Sequence, residues 1–142
     1  MSPETERQAE VKEWLAKVIL DLRGARIDLD ARPPLPEDAL FHCQQAVEKL
    51  LKAFLVWHDK PFRKTEELGR ACCTLDSGLT TLVDEAVPLT EYAWAFRYPG
   101  AAPAPTLDEA HSALDLATRI ARAIGARLPA ETVPEGYGPS SQ

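Results

Sequence analysis

Three histidines, three cysteines and one Arg-Tyr-Pro tripeptide carry most of the chemistry this sequence offers. Di-iron bundles place Glu-x-x-His on two helices. No glutamate here stands three residues before a histidine, and Asp108-Glu109-Ala110-His111 gives one aspartate-based imitation. His-Glu-x-x-His and paired-cysteine patterns are missing too, so the motifs predict no metal and no cofactor. Cys43 falls on an apolar helix face and reads as a small buried hydrophobe, while Cys72 and Cys73 have no base nearby in sequence. His42 borders an apolar stripe, as a hydrogen-bonded structural histidine or as a ligand contact. Arg97 precedes Tyr98-Pro99, and the proline pushes Tyr98 toward extended backbone. Arg97 can complement a negative helix end, or offer a planar fork to phosphate beside a stacking Tyr98.

Helices must position these groups, since no segment has a convincing strand pattern. Ser2-Pro3-Glu4 supplies an N-cap, a first-turn proline and an acid. Val11, Leu15, Val18, Leu22, Ala25 and Leu29 then recur at helical spacing until the proline-rich 32–36 stops the run. A second helix is expected from about Glu37 to His58. A shorter one, capped by Thr65, should run from Glu66 to Leu75. Leu79, Leu82, Val83 and Ala86 form one face that Leu89, Ala93 and Phe96 resume beyond Pro88, which should kink or divide the segment. Thr106-Leu107-Asp108-Glu109 reads as a capping box. It opens a last helix whose face is Leu107, Ala110, Leu114, Ala117, Ala121, Ile124 and Leu128. The expected fold is all-α: an antiparallel up-and-down bundle of four to five helices over 1–128, with a flexible tail over 129–142.

The helix over 41–57 (FHCQQAVEKLLKAFLVW) has two apolar sides. Cys43, Ala46, Val47, Leu50, Ala53, Phe54 and Trp57 make the core side. Opposite lie Phe41, Gln45, Glu48, Lys52, Leu55 and Val56, more apolar than exposure requires. Either neighbouring helices cover both sides, or this second stripe meets a partner subunit. A two-fold homodimer, with Phe41, Glu48, Leu55 and Val56 at the interface, is the default form of the latter.

The 142 residues suit one domain, and 45% hydrophobic with 27% charged residues is the balance of a globular chain. A net charge of −6 excludes a wholly basic nucleic-acid surface but leaves room for a local one. Lys49, Lys52, Lys60, Arg63, Lys64 and Arg70 outnumber Asp59, Glu66 and Glu67 over 49–70. No apolar run approaches the roughly 20 residues of a membrane span. The N-terminus lacks a basic-then-apolar leader and the cysteines make a poor disulfide framework, so a cytoplasmic protein is expected.

The run Phe41-His42-Cys43-Gln44-Gln45-Ala46-Val47-Glu48-Lys49-Leu50-Leu51-Lys52-Ala53 resembles the F-H-A-Q-Q-A-x-E-K-x-L-K-A signature of the prokaryotic HEPN domain family. Lys64-Thr65-Glu66-Glu67-Leu68 is similar to that family's K-T-H-D-L element, and Ala95-Phe96-Arg97-Tyr98-Pro99 to its A-R-Y-P segment. The resemblance covers about residues 6–127. It implies an all-α bundle, commonly a homodimer, associated with nucleotide or RNA binding. Many members are paired with a small nucleotidyltransferase-fold protein, and some are toxin ribonucleases of toxin–antitoxin pairs.

Those ribonucleases use Arg, four to six residues, then His. Residues 35–37 before His42, 51–53 before His58 and 104–106 before His111 contain no arginine. Glu66 stands where the family often has His, and a carboxylate there repels phosphate. The expectation is therefore a non-catalytic binding module. Arg97, Lys49 and Lys52 would hold phosphate, Tyr98 would stack or donate, and His42 and Gln45 would orient the ligand. The enzymatic alternative is a ribonuclease with a displaced Arg97–His111 pair.

Overall fold

The computed structural model describes residues 2–64, 67–95, 98–100 and 103–137, the side chains of 92–94 excepted. The described residues form five α-helices: α1 (Pro3–Asp30), α2 (Pro36–Trp57), α3 (Leu68–Leu75), α4 (Thr80–Ala95) and α5 (Leu107–Gly125). Short 3-10 turns occupy Ser77–Leu79 and Ala130–Thr132. Among the described residues there is no strand, and no helix is long and apolar enough to cross a membrane.

The ends form as the sequence dictates. Ser2 Oγ accepts from the Thr5 N–H at 3.2 Å, with Pro3 opening α1 and Glu4 and Glu6 in its first turn. The reciprocal box at α5 is complete: Glu109 N–H donates to Thr106 Oγ1 at 3.0 Å, and Thr106 N–H to Glu109 Oε1 at 2.8 Å. An N-cap of this kind contributes about 1 kcal/mol. The fourth segment runs Thr80–Ala95 with Pro88 inside it. The third helix is described from Leu68, so Thr65 and Glu66, expected at its start, lie outside the described residues.

Helices α1 and α2 are antiparallel, as five contacts show. Arg7 sits over the Trp57 ring, Lys52 over Trp14, Asp21 meets Lys49 and His42, and the Asp28 carbonyl accepts from Leu35 N–H. As residue number rises on one helix it falls on the other. The α1 stripe Val11, Leu15, Val18, Leu22, Ala25 and Leu29 is buried throughout. Each Leu or Val so buried stabilises by about 1.5–3 kcal/mol. Ala110, Ala113, Ala117 and Ala121 are buried on α5, where small side chains let its backbone approach its neighbours. Leu107, expected on that face, is instead 41% exposed, because it is the first helical residue and projects beyond the contact.

Helix α2 lies at the centre. From Ala39 to Trp57 no residue is exposed. The second stripe is thus covered mainly from within the chain. Leu55, expected at a subunit interface, is 0% exposed and belongs to the core; Phe41, Glu48 and Val56 are half-buried.

Of the flexible tail expected over 129–142, residues 129–137 are described, and they pack on the bundle. Thr132 is 1% and Tyr137 6% exposed. The Tyr137 hydroxyl donates to the Ala121 carbonyl, so this buried hydroxyl has an acceptor. Gly125 makes room for it, since a Cβ there would come within 2.7 Å of Tyr137 Cε2. Proline and glycine content signals an irregular backbone; it says nothing about whether an aromatic anchor docks that backbone.

Candidate functional site

A cluster of polar groups forms where the second half of α1 crosses α2. Two aspartates on α1, Asp21 and Asp28, stand seven residues apart at the edge of its apolar stripe, and each is 8% exposed. Two residues on α2, Asp38 and His42, stand four apart and so share a face. His42 Nδ1 lies 3.0 Å from Asp21 Oδ1, and its Nε2 lies 3.4 Å from Asp38 Oδ2. The other Asp21 oxygen accepts from Lys49 Nζ at 2.5 Å.

The imidazole can occupy this place because residue 24 of α1 is glycine. A Cβ on Gly24 would lie 3.0 Å from His42 Nε2 and 3.2 Å from two ring carbons. The ring therefore lies directly on the α1 backbone. Glycine in mid-helix costs about 1 kcal/mol against alanine, a cost that the His42 contacts offset.

Asp28 is the least satisfied group of the cluster. Its Oδ2 is buried and has no hydrogen-bond partner. Burial, then the neighbouring Asp38 carboxyl, push its pKa up to about 6 against the opposite pull of His42. Ligand atoms from Asp28, Asp38 and His42 all lie within 4.8 Å of one another. The motif-based expectation of no metal had no view of this set, because its members come from two helices. The only local trace in the sequence is Asp38-x-x-x-His42, two ligand types at helical spacing.

The expected ligand residues fare differently. His42 and Lys49 are brought together, on Asp21. Their polar heads serve that carboxylate, and the site around them carries three carboxyl groups, which disfavours phosphate. Lys52 pairs with Glu48 at 3.1 Å and stacks between Trp14 and Phe62, with its nitrogen 5.2 Å and 5.8 Å from their ring centroids. The Gln45 side chain donates to Gln44 Oε1 at 2.8 Å. Tyr98 is 64% exposed. Arg97 lies outside the described residues, and His111 is exposed near the start of α5. The exposed cations of the basic stretch are Lys60, Arg63 and Lys64, after α2, and Arg70 on α3.

A separate cavity of about 470 Å³ opens between α4 and α5, floored by Leu40 of α2. Pro88, Leu89, Ala113 and Leu116 make it apolar, with Glu85, Asp108, Glu109 and Arg119 at its edge. Arg119 is held by Glu85 and Asp115, each at 3.0 Å, and these two carboxylates raise its pKa. Among the described residues that line this cavity, no cation is free for a phosphate.

An all-α bundle around a largely covered central helix, bearing a His-Lys-carboxylate cluster, is the class of protein that the fold and site define. The sequence profile of the HEPN domain matches residues 11–127, and the chain belongs to that family. No curated protein and no solved structure gives a significant match. Membership associates the chain with nucleotide- or RNA-related function.

Proposed function

We propose that the chain is a non-catalytic nucleotide- or RNA-binding module, acting as a homodimer and paired with a small nucleotidyltransferase-fold protein in a toxin–antitoxin-like system. One observation carries the non-catalytic part: within a member of this family, no histidine has an arginine at the ribonuclease spacing. Ligand phosphates fall to exposed cations, because Lys49, Lys52 and His42 face carboxylates of their own chain. Lys60, Arg63 and Lys64 supply charge, Arg97 the planar fork and Tyr98 a stacking surface. Leu20 and Ile27, 63% and 57% exposed seven residues apart on α1, give the dimer an apolar stripe in place of Leu55.

Fluorescence anisotropy with labelled single-stranded RNA, and calorimetry with ATP, test the ligand. The expected result is salt-sensitive binding by the wild type, weakened at least about tenfold in Lys60→Glu/Arg63→Glu/Lys64→Glu. No binding of either probe removes the ligand part. RNA cleavage by the purified protein, abolished in both Arg97→Ala and His111→Ala, establishes the displaced-pair ribonuclease instead. Light scattering that shows a monomer for the wild type removes the dimer.

A further inference from the structure

We propose that Asp28, Asp38 and His42 form a binding site for a divalent cation of the zinc class, stapling the end of α1 to the start of α2. Three observations combine. The donor set, one imidazole nitrogen and two carboxylates, is one that Zn²⁺ accepts, with a water in the remaining position. The Nε2–Oδ2 separation of His42 and Asp38, 3.4 Å, is the edge of a tetrahedron about an ion roughly 2.1 Å from each ligand. Asp28 is more than nine-tenths buried, and its Oδ2 accepts no hydrogen bond unless the neighbouring Asp38 carboxyl carries a proton.

The surroundings of the histidine strengthen the case independently. Metal-binding histidines characteristically donate their second ring nitrogen to a carboxylate, which fixes the tautomer and turns the other nitrogen to the ion. His42 does this through Nδ1 to Asp21 Oδ1 at 3.0 Å, and Lys49 in turn holds Asp21. Asp21 and Lys49 are thus positioning residues, while Nε2 faces Asp38. Gly24 leaves the room in which the ring turns. Two carboxylates this near one another repel when both are ionised, and a divalent cation removes that repulsion. A shared proton would also do so, which makes the two explanations separable.

The test uses untagged full-length protein carrying Cys73→Ser, treated with chelator and dialysed, then titrated with ZnCl₂ by calorimetry and with CoCl₂ by visible absorption. The expected outcome is one saturable site per chain, with a Tm that rises with metal concentration. Asp38→Asn and His42→Gln should each weaken binding at least about tenfold, and Asp21→Asn by about 10–100-fold through the histidine's orientation. Asp38 is half-exposed, so Asp38→Asn can be checked for unchanged helical circular dichroism and kept as the decisive variant if the buried ones fail to fold. No saturable binding at millimolar metal overturns the proposal and leaves a proton-sharing carboxyl pair. Binding that survives Asp38→Asn and His42→Gln unchanged, or disappears with His58→Ala or His111→Ala, equally overturns it.

Discussion

Asp21 holds His42 with one carboxylate oxygen and Lys49 with the other, so a single α1 side chain fixes two positions of α2 about two turns apart. The Lys49 and Asp21 side chains are only 20% and 11% exposed, which makes this pair unlike a surface ion pair. Removing Lys49 takes from the Asp21 carboxylate its cationic partner and leaves it the imidazole contact, while removing the Asp21 charge takes from Lys49 its counter-charge. Lys49→Met is expected to cost about 3 kcal/mol in urea unfolding, and Asp21→Asn to show coupling above about 1 kcal/mol in a double-mutant cycle with it. Additive costs would show that the two groups do not interact.

Gly24 and His42 give a prediction with a change of sign. In the wild type, Gly24→Ala drives a methyl against the ring and should destabilise by about 1 kcal/mol or more. In a His42→Ala background the space is free, and the same substitution should stabilise by about 0.5–1 kcal/mol through helix propensity. Stabilisation in both backgrounds would mean that the ring does not rest on the α1 backbone.

The three thiols should separate by reactivity. Burial pushes Cys43 and Cys72 up to about 12, so at neutral pH neither supplies thiolate, and both are 0% exposed. Cys73 is half-buried. Ellman's reagent should report one reacting thiol in the native protein and three in denaturant. Three native equivalents would contradict the packing of α2 and α3.

Acid stability should carry the signature of Asp76. The Arg127 side chain, at 2.7 Å, and then the Gly78 N–H hold its carboxyl below the usual 3.8. The folded chain thus binds this proton less readily than the unfolded one. The contribution is present above about pH 4 and is lost as pH falls through the depressed folded value. The urea midpoint should fall across that acid window, and by less in Arg127→Ala, whose stability is already reduced above it. Identical slopes for the two proteins would rule the pair out.

Tyr137 anchors the segment beyond α5. Tyr137→Phe removes the hydroxyl that serves the Ala121 carbonyl and should cost about 1 kcal/mol. Gly125→Ala, which fills the space under the ring, should cost more than its helical propensity returns. Equal Tm values for wild type, Tyr137→Phe and a chain ending at Leu128 would show that the segment contributes nothing.

Helix content was legible because it is written in local terms. The α1 stripe, the Ser2 cap and the Thr106–Glu109 box depend on neighbours within one or two turns, and the structure reproduces each. Family membership was legible for a related reason: the FHCQQAVEKLLKA run keeps its residues in order along the chain. Leu55 was misplaced because an angular sector on one helix does not tell which sectors its neighbours cover. On α2 they cover almost all of it.

The sequence by itself determined which segments are helical, where α1 and α5 start and which residues are apolar enough to form a core. Tertiary structure decided which polar groups meet. Asp21, Asp28, Gly24 and His42 are separated by as many as 21 residues, and no periodicity links them. Only the antiparallel register of α1 on α2 brings the imidazole onto Gly24 and between carboxylates. That register is set by burial of Val11 through Leu29 against α2, a collective gain no single motif encodes. The basic residues Lys49 and His42 thereby became partners of acids.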